Sequence, residues 1–144
     1  MLEKCVVSGE NFTDHRGSVR FFNGFNMNEV VRFYEITPAD SEQIRGWQAH
    51  KIEKKWFYCL RGGFIINIIK VDNFEKPSNK LEASKYILND IEPKVLCVPQ
   101  GYATAFKAIN ENAALQVFSN FSLDESKNDD FRFSLERWSA DWKI

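Results

Sequence analysis

Long apolar runs are missing from this sequence: none approaches the roughly 18 consecutive apolar residues that a membrane-crossing helix needs. Cysteine is scarce. Cys5, Cys59 and Cys97 are odd in number and widely spaced, which excludes a disulfide framework and fits no zinc pattern. Four prolines and seven glycines exclude collagen-like and low-complexity chains. Neither sign of charge is in excess: 19 basic and 20 acidic residues leave a net charge of −1, so no overall field draws the chain to nucleic acid. The opening MLEKCVVSGE holds no signal-peptide core, so the expected location is the cytoplasm, and the glycosylation-like triplets at Asn11 and Asn120 carry little weight. What the chain has in plenty is aromatic side chains, 15% of its residues, including 13 Phe. Large flat rings favour half-buried pleated surfaces, so 144 residues with 44% hydrophobic content read as one β-rich domain spanning 1–144.

A short apolar or aromatic run recurs roughly every ten residues, with turn residues between. The runs are Val19–Phe22, Val30–Ile36, Lys55–Leu60, Phe64–Val71, Lys85–Leu88, Val95–Val98, Ala103–Ile109 and Ala114–Phe118. Gly62-Gly63 between the third and fourth predicts a β-hairpin with a glycine turn. Lys55–Leu60 shows no clean alternation, as expected of a strand covered on both faces, and there Cys59 reads as a buried small hydrophobe, as does Cys97 in its own run. Many short strands at this spacing predict a sandwich, barrel or jelly roll. The stretch from Asp129 to Trp142 has helical flavour but fits no single period, so a short tail, irregular or helical, is expected there.

Two stretches carry the candidate chemistry. The first is Arg45-Gly-Trp-Gln-Ala-His50-Lys-Ile-Glu53, leading into a strand that ends at Gly62. The second is Pro99-Gln-Gly101-Tyr-Ala-Thr104-Ala-Phe, directly after Val95–Val98. In order and separation they resemble the two signature motifs of the cupin superfamily, which implies an all-β jelly roll (a double-stranded β-helix) with its site inside the barrel mouth. Metal cupins bind one ion through three histidines and a glutamate at these positions. Here only His50 and Glu53 remain, with Gln48 and Thr104 in the other places and His15 far away, so no metal and no other cofactor is expected.

The likeness narrows with Phe12-Thr-Asp14-His-Arg16-Gly17, Phe21-Phe22, Arg45-Gly46 and Lys55 ahead of Gly62. Together these resemble the nucleotide-sugar cupins, the dTDP-4-dehydrorhamnose 3,5-epimerases and the dTDP-4-keto-6-deoxyhexose 3,4-ketoisomerases, and within them the small WxcM-like branch. The resemblance implies a dTDP-linked sugar as partner and a homodimer as assembly. It implies Arg16 and Arg45 at the diphosphate, where a guanidinium fork matches phosphate oxygens. It places Lys55 beside the sugar carbonyl and His50 at the second histidine of the ketoisomerases' His-x-His. Such enzymes remove a proton next to a ketone, a task suited to a histidine titrating near neutrality, and stabilise the enolate with a nearby charge or donor. Three departures stand out: Gln48 where both families place a catalytic histidine, Thr104 for the histidine after Pro-x-Gly, and Phe118 for an acidic tyrosine.

The expected catalytic set is therefore His50 as base, with Lys55 and Gln48 polarising ketone and enolate. The expected substrate contacts are Arg16, Arg45, Trp47, Tyr102 and Thr104. Trp47 stacks on base or sugar or else packs under a loop, and Tyr34, Tyr58 and Tyr102 each supply a proton or fill the core. Lys54 and Lys55 adjoin, so at most one faces inward. Asp124, Glu125, Asp129 and Asp130 read as a solvated acidic loop, and Asp14 as a turn cap. The function expected is a metal-independent epimerase or ketoisomerase. The competing expectation is a catalytically inactive cupin that binds a nucleotide-sugar or supports a partner enzyme.

Overall fold

The aromatic and β-branched runs become strands in the computed structural model, which describes residues 5–144. In chain order the elements are β1 (Val6–Ser8), β2 (Glu10–Asp14), β3 (Gly17–Phe21), β4 (Arg32–Ile36), β5 (Ile44–Ala49), β6 (Lys55–Arg61), β7 (Gly63–Lys70), β8 (Ser84–Asn89), β9 (Lys94–Val98), β10 (Tyr102–Ala108), β11 (Ala114–Ser119), α1 (Leu123–Lys127) and β12 (Phe131–Arg132). Two five-stranded antiparallel sheets, ordered β1-β9-β6-β11-β4 and β12-β5-β10-β7-β8, face each other as a jelly roll, with β2 and β3 forming a separate hairpin. No helix among the described residues is long and apolar enough to cross a membrane.

The sheets close on a core that includes Phe57, Phe64, Ile66, Leu96, Phe106 and Leu115. A second cluster lies on the outer face of the second sheet, where Trp47, Ala49, Ile69, Ala103 and Ala105 are roofed by Trp138. Strand β7 is thus buried on both faces, which removes the alternation a half-exposed strand would show.

The hairpin expected across Gly62-Gly63 does not form. β6 pairs with β9 and β11 in the first sheet, while β7 pairs with β8 and β10 in the second. Both strands are apolar on two faces, so each gains more from sitting centrally in its own sheet than from pairing with its sequence neighbour. Gly62, at φ +73°, makes the crossing between sheets. Of the two forms open to the tail, the structure shows the irregular one. α1 precedes Asp129, opened by a capping box of Ser122 and Glu125, and the stretch beyond is a short strand followed by irregular chain. Its Phe131, Phe133, Trp138 and Trp142 pack onto the second cluster, so their spacing follows a sheet surface and no helical period.

Candidate active site

Both sequence motifs sit on neighbouring strands. β5 and β10 pair with Ala49 opposite Ala103 and Gln48 opposite Thr104, and the Gly101 N–H donates to the His50 carbonyl at 2.8 Å. Alternation along β5 sends Trp47 and Ala49 to the outer cluster and Gln48 to the cavity, and His50 follows directly after the strand, close enough to Lys55 to feel its charge.

A cavity of about 370 Å³ opens between the sheets where β4 faces β5 and β12. That volume is in the range of small-molecule sites, roughly 300–1,000 Å³. Phe57, Phe106 and Val117 give it apolar walls, and Tyr34, Arg45, Gln48, Lys55, Thr104 and Arg132 supply the polar ones. A second cleft of about 220 Å³ shares Tyr34, Gln48, Lys55 and Arg132 and runs on to Arg32 and Lys127. Cations dominate this surface. Lys55 is 6% exposed, its Nζ lies 5.7 Å from the Tyr34 ring centroid, and it makes no hydrogen bond or ion pair among the described residues. A lysine lining the cavity with no counter-charge in contact suits that cavity to an anionic or enolate oxygen. As expected of adjacent strand residues, Lys54 points the other way and pairs with Glu29.

His50 is 6% exposed and is not part of the cavity wall. Its Nδ1 lies 2.7 Å from the Asp129 carbonyl oxygen. A carbonyl only accepts, so Nδ1 carries the hydrogen and Nε2 the lone pair. Nε2 is buried with no hydrogen-bond partner among the described residues. Burial, and then the charge on Lys55, push the His50 pKa below 6.5, outweighing Glu53 and Asp129, which pull it up. The ring is therefore neutral at pH 7.

Glu53, 2% exposed, is fully engaged: it accepts from the Ser119 hydroxyl at 2.5 Å and the Ser126 hydroxyl at 2.7 Å, with Arg32 at 3.4 Å and His50 Nδ1 at 3.3 Å. Gln48 Nε2 donates to Asp130 Oδ1 at 3.1 Å, and Asp130 is itself paired with Arg132, whose hydrogen bond holds the Asp130 carboxyl below its usual range. A carboxylate can only accept, so the Gln48 carbonyl is left for the cavity.

Of the expected site residues, the fold brings together Arg45, Gln48, Lys55 and Thr104, with His50 adjoining. Three are corrected. Arg16 sits at the tip of the β2–β3 hairpin, paired with Asp14 at 2.7 Å and exposed, because that hairpin joins neither sheet and Asp14 caps its turn. Trp47 borders the cavity, but its indole is 1% exposed and packs edge-to-face on Trp138 at 5.5 Å, so the ring is core and no stacking platform. Tyr102 begins β10 beyond the cavity and packs against the main core. Phe118 points outward onto Phe25 and Phe33, leaving Val117 at the cavity. The acidic loop is corrected too: Asp129 is buried. Arg32 and Arg132 went unread, although the alternation Phe131-Arg132-Phe133 is itself a strand signal.

No family model matches the chain, and no curated protein matches it. Solved structures do. QdtA, a sugar 3,4-ketoisomerase from Thermoanaerobacterium thermosaccharolyticum solved with TDP, matches with a TM-score of 0.68 at 22% identity, over 89% of this chain and 86% of its own. NovW, a 4-keto-6-deoxy sugar epimerase from Streptomyces spheroides, gives 0.75 at 16%, over 96% and 74%. The dTDP-4-dehydrorhamnose 3,5-epimerase of Bacillus anthracis, with TDP and PPi bound, gives 0.71 at 19%, over 90% and 78%. The chain has the jelly-roll fold of these proteins, as its two motifs led one to expect.

Proposed function

We propose that this chain is a metal-independent epimerase or 3,4-ketoisomerase of a dTDP-linked 4-keto-6-deoxyhexose, working in deoxysugar and surface-polysaccharide synthesis. The observation that carries the reading is His50: a neutral imidazole whose Nδ1–H is committed to a backbone carbonyl, leaving a basic Nε2 beside a cationic cavity. The fold shared with sugar ketoisomerases and epimerases crystallised with TDP supports the substrate class.

In this reading His50 Nε2 removes the proton from the carbon next to the C4 ketone, and the electron pair moves onto the carbonyl oxygen. Lys55 stabilises the resulting enolate oxygen, and Gln48 holds a neighbouring hydroxyl. Return of a proton to the opposite face inverts the carbon; delivery to C4, with the C3 hydroxyl proton passing to the C4 oxygen, moves the carbonyl to C3. Arg45, exposed at the cavity rim, holds the diphosphate, with Arg132 beside it. Metal chemistry does not fit this residue set. The Glu53 oxygens are taken by Ser119 and Ser126 and Nδ1 of His50 by Asp129, while Gln48 and Thr104 are poor ligands.

A second reading, a nucleotide-sugar binder without turnover that acts alone or beside a partner enzyme, is favoured by one observation: Nε2 of His50 is buried, so its surroundings must shift before a sugar reaches it. Proton NMR of dTDP-4-keto-6-deoxyglucose with the protein in deuterium oxide separates the two. Enolisation erases the C3 or C5 proton signal, and His50→Asn stops the loss while nucleotide binding persists. Both signals persisting in the presence of bound nucleotide establishes the binder.

The working assembly in this proposal is a homodimer, supported by the aromatic outer face of the first sheet, where Phe33 on edge strand β4 is 66% exposed. The proposed compartment is the cytoplasm, which suits three free thiols.

A further inference from the structure

Asp129 is bound to the His50 turn from two sides. Its carboxylate accepts from the backbone N–H groups of Lys51 at 2.9 Å, Ile52 at 2.9 Å and Glu53 at 2.8 Å. Its main-chain carbonyl accepts from His50 Nδ1 at 2.7 Å. The residue is 7% exposed, its own N–H is held by the Ser126 carbonyl at 3.0 Å, and β12 begins two residues later, paired to β5 opposite Ala49. Ring, turn, carboxylate and carbonyl therefore form one closed loop of hydrogen bonds. With its carboxylate on the turn, Asp129 keeps its carbonyl within reach of the imidazole.

We propose that Asp129 is the positioning residue of His50: its carboxylate clamps the 51–53 turn so that its carbonyl holds the imidazole in the Nδ1–H tautomer and leaves the lone pair on Nε2. This rests on His50 being the base in the function proposed above. Three donors converging on one buried side chain are more than a loop needs for solvation, and the carboxylate of the next residue, Asp130, accepts from Gln48 Nε2. One stretch of chain thus holds both Gln48 and His50 of the first motif.

The test uses the full-length chain labelled with ¹⁵N at histidine. Long-range proton–nitrogen spectra of the parent protein should show His50 protonated at Nδ1. In Asp129→Ala, which loses all three contacts, the pattern should move to a tautomer mixture. Asp129→Asn keeps one accepting oxygen and should fall between. Where the sugar is turned over, the C–H exchange rate should drop on the order of 10²-fold in the Ala variant, as expected for a misaimed base. Ser122→Ala loosens the cap of α1 without touching the clamp and serves as control. An unchanged tautomer in folded Asp129→Ala, or an equal change in Ser122→Ala, overturns the positioning role. The nitrogen spectra need no turnover, so a failed enzyme reading leaves this outcome readable by itself.

Discussion

A histidine buried beside a lysine gains nothing from protonation, and that sets a sign for the pH dependence of stability. The His50 pKa is lowered in the fold from 6.5, by burial first and by Lys55 second. Above 6.5 the imidazole is neutral in both folded and unfolded chains, and its contribution to stability is fully present. As pH falls through that value the unfolded chain takes up a proton that the folded chain refuses, so stability is lost on the acid side. The thermal midpoint should therefore drop between about pH 7.5 and pH 5, with a shallower drop in His50→Gln; equal slopes would remove His50 as the titrating group. Gln48, Lys55 and Thr104 were legible because the resemblance of the two motifs singles out their positions, while alternation adds only that Lys54 and Lys55 face opposite ways. Asp129 was not legible. An aspartate among acidic neighbours is normally solvated, and the three N–H groups that bury it lie 76 to 78 positions away.

Most strands announced themselves by composition, but their partners did not. Runs such as Phe64–Val71 are visible because they are apolar throughout, and that same uniformity hides which face meets which sheet. Gly62-Gly63 looked like a hairpin turn and is a corner between sheets. The corner is tight: a Cβ on Gly62 would stand 2.6 Å from Asn110 Oδ1 and 3.0 Å from the Ala113 Cβ. Gly62→Ala should cost about 1–3 kcal/mol, from the positive φ and this crowding together. Ile66→Ala, in the middle of doubly buried β7, should cost about 2–5 kcal/mol. Urea unfolding of both variants checks these figures, and a loss well below them would mean that β7 is less tightly enclosed than its burial indicates.

For the whole molecule, the jelly roll was readable from strand density and the two motifs, whereas the exposed surfaces were not. Edge strand β4 carries Phe33, and next to it on β11 lies Phe118, their rings 6.0 Å apart and Phe25 alongside. Such a face invites a second copy, so light scattering should give twice the chain mass, and Phe33→Asp should return the monomer mass. A monomer in the unchanged protein at micromolar concentration would remove this face from the proposed assembly. The outer face of the second sheet needs no such partner, since the chain beyond α1 already covers it.

That covering segment also sets a schedule. His50 and the Asp129 carbonyl that holds it are separated by 79 positions. At synthesis rates of roughly 5–20 residues per second, about 4–16 s pass between the making of one and of the other. During that interval the imidazole-bearing turn has its donors free and unclaimed. The groups proposed to do the chemistry are thus among the earlier residues made, and their aim is set only after most of both sheets has been translated.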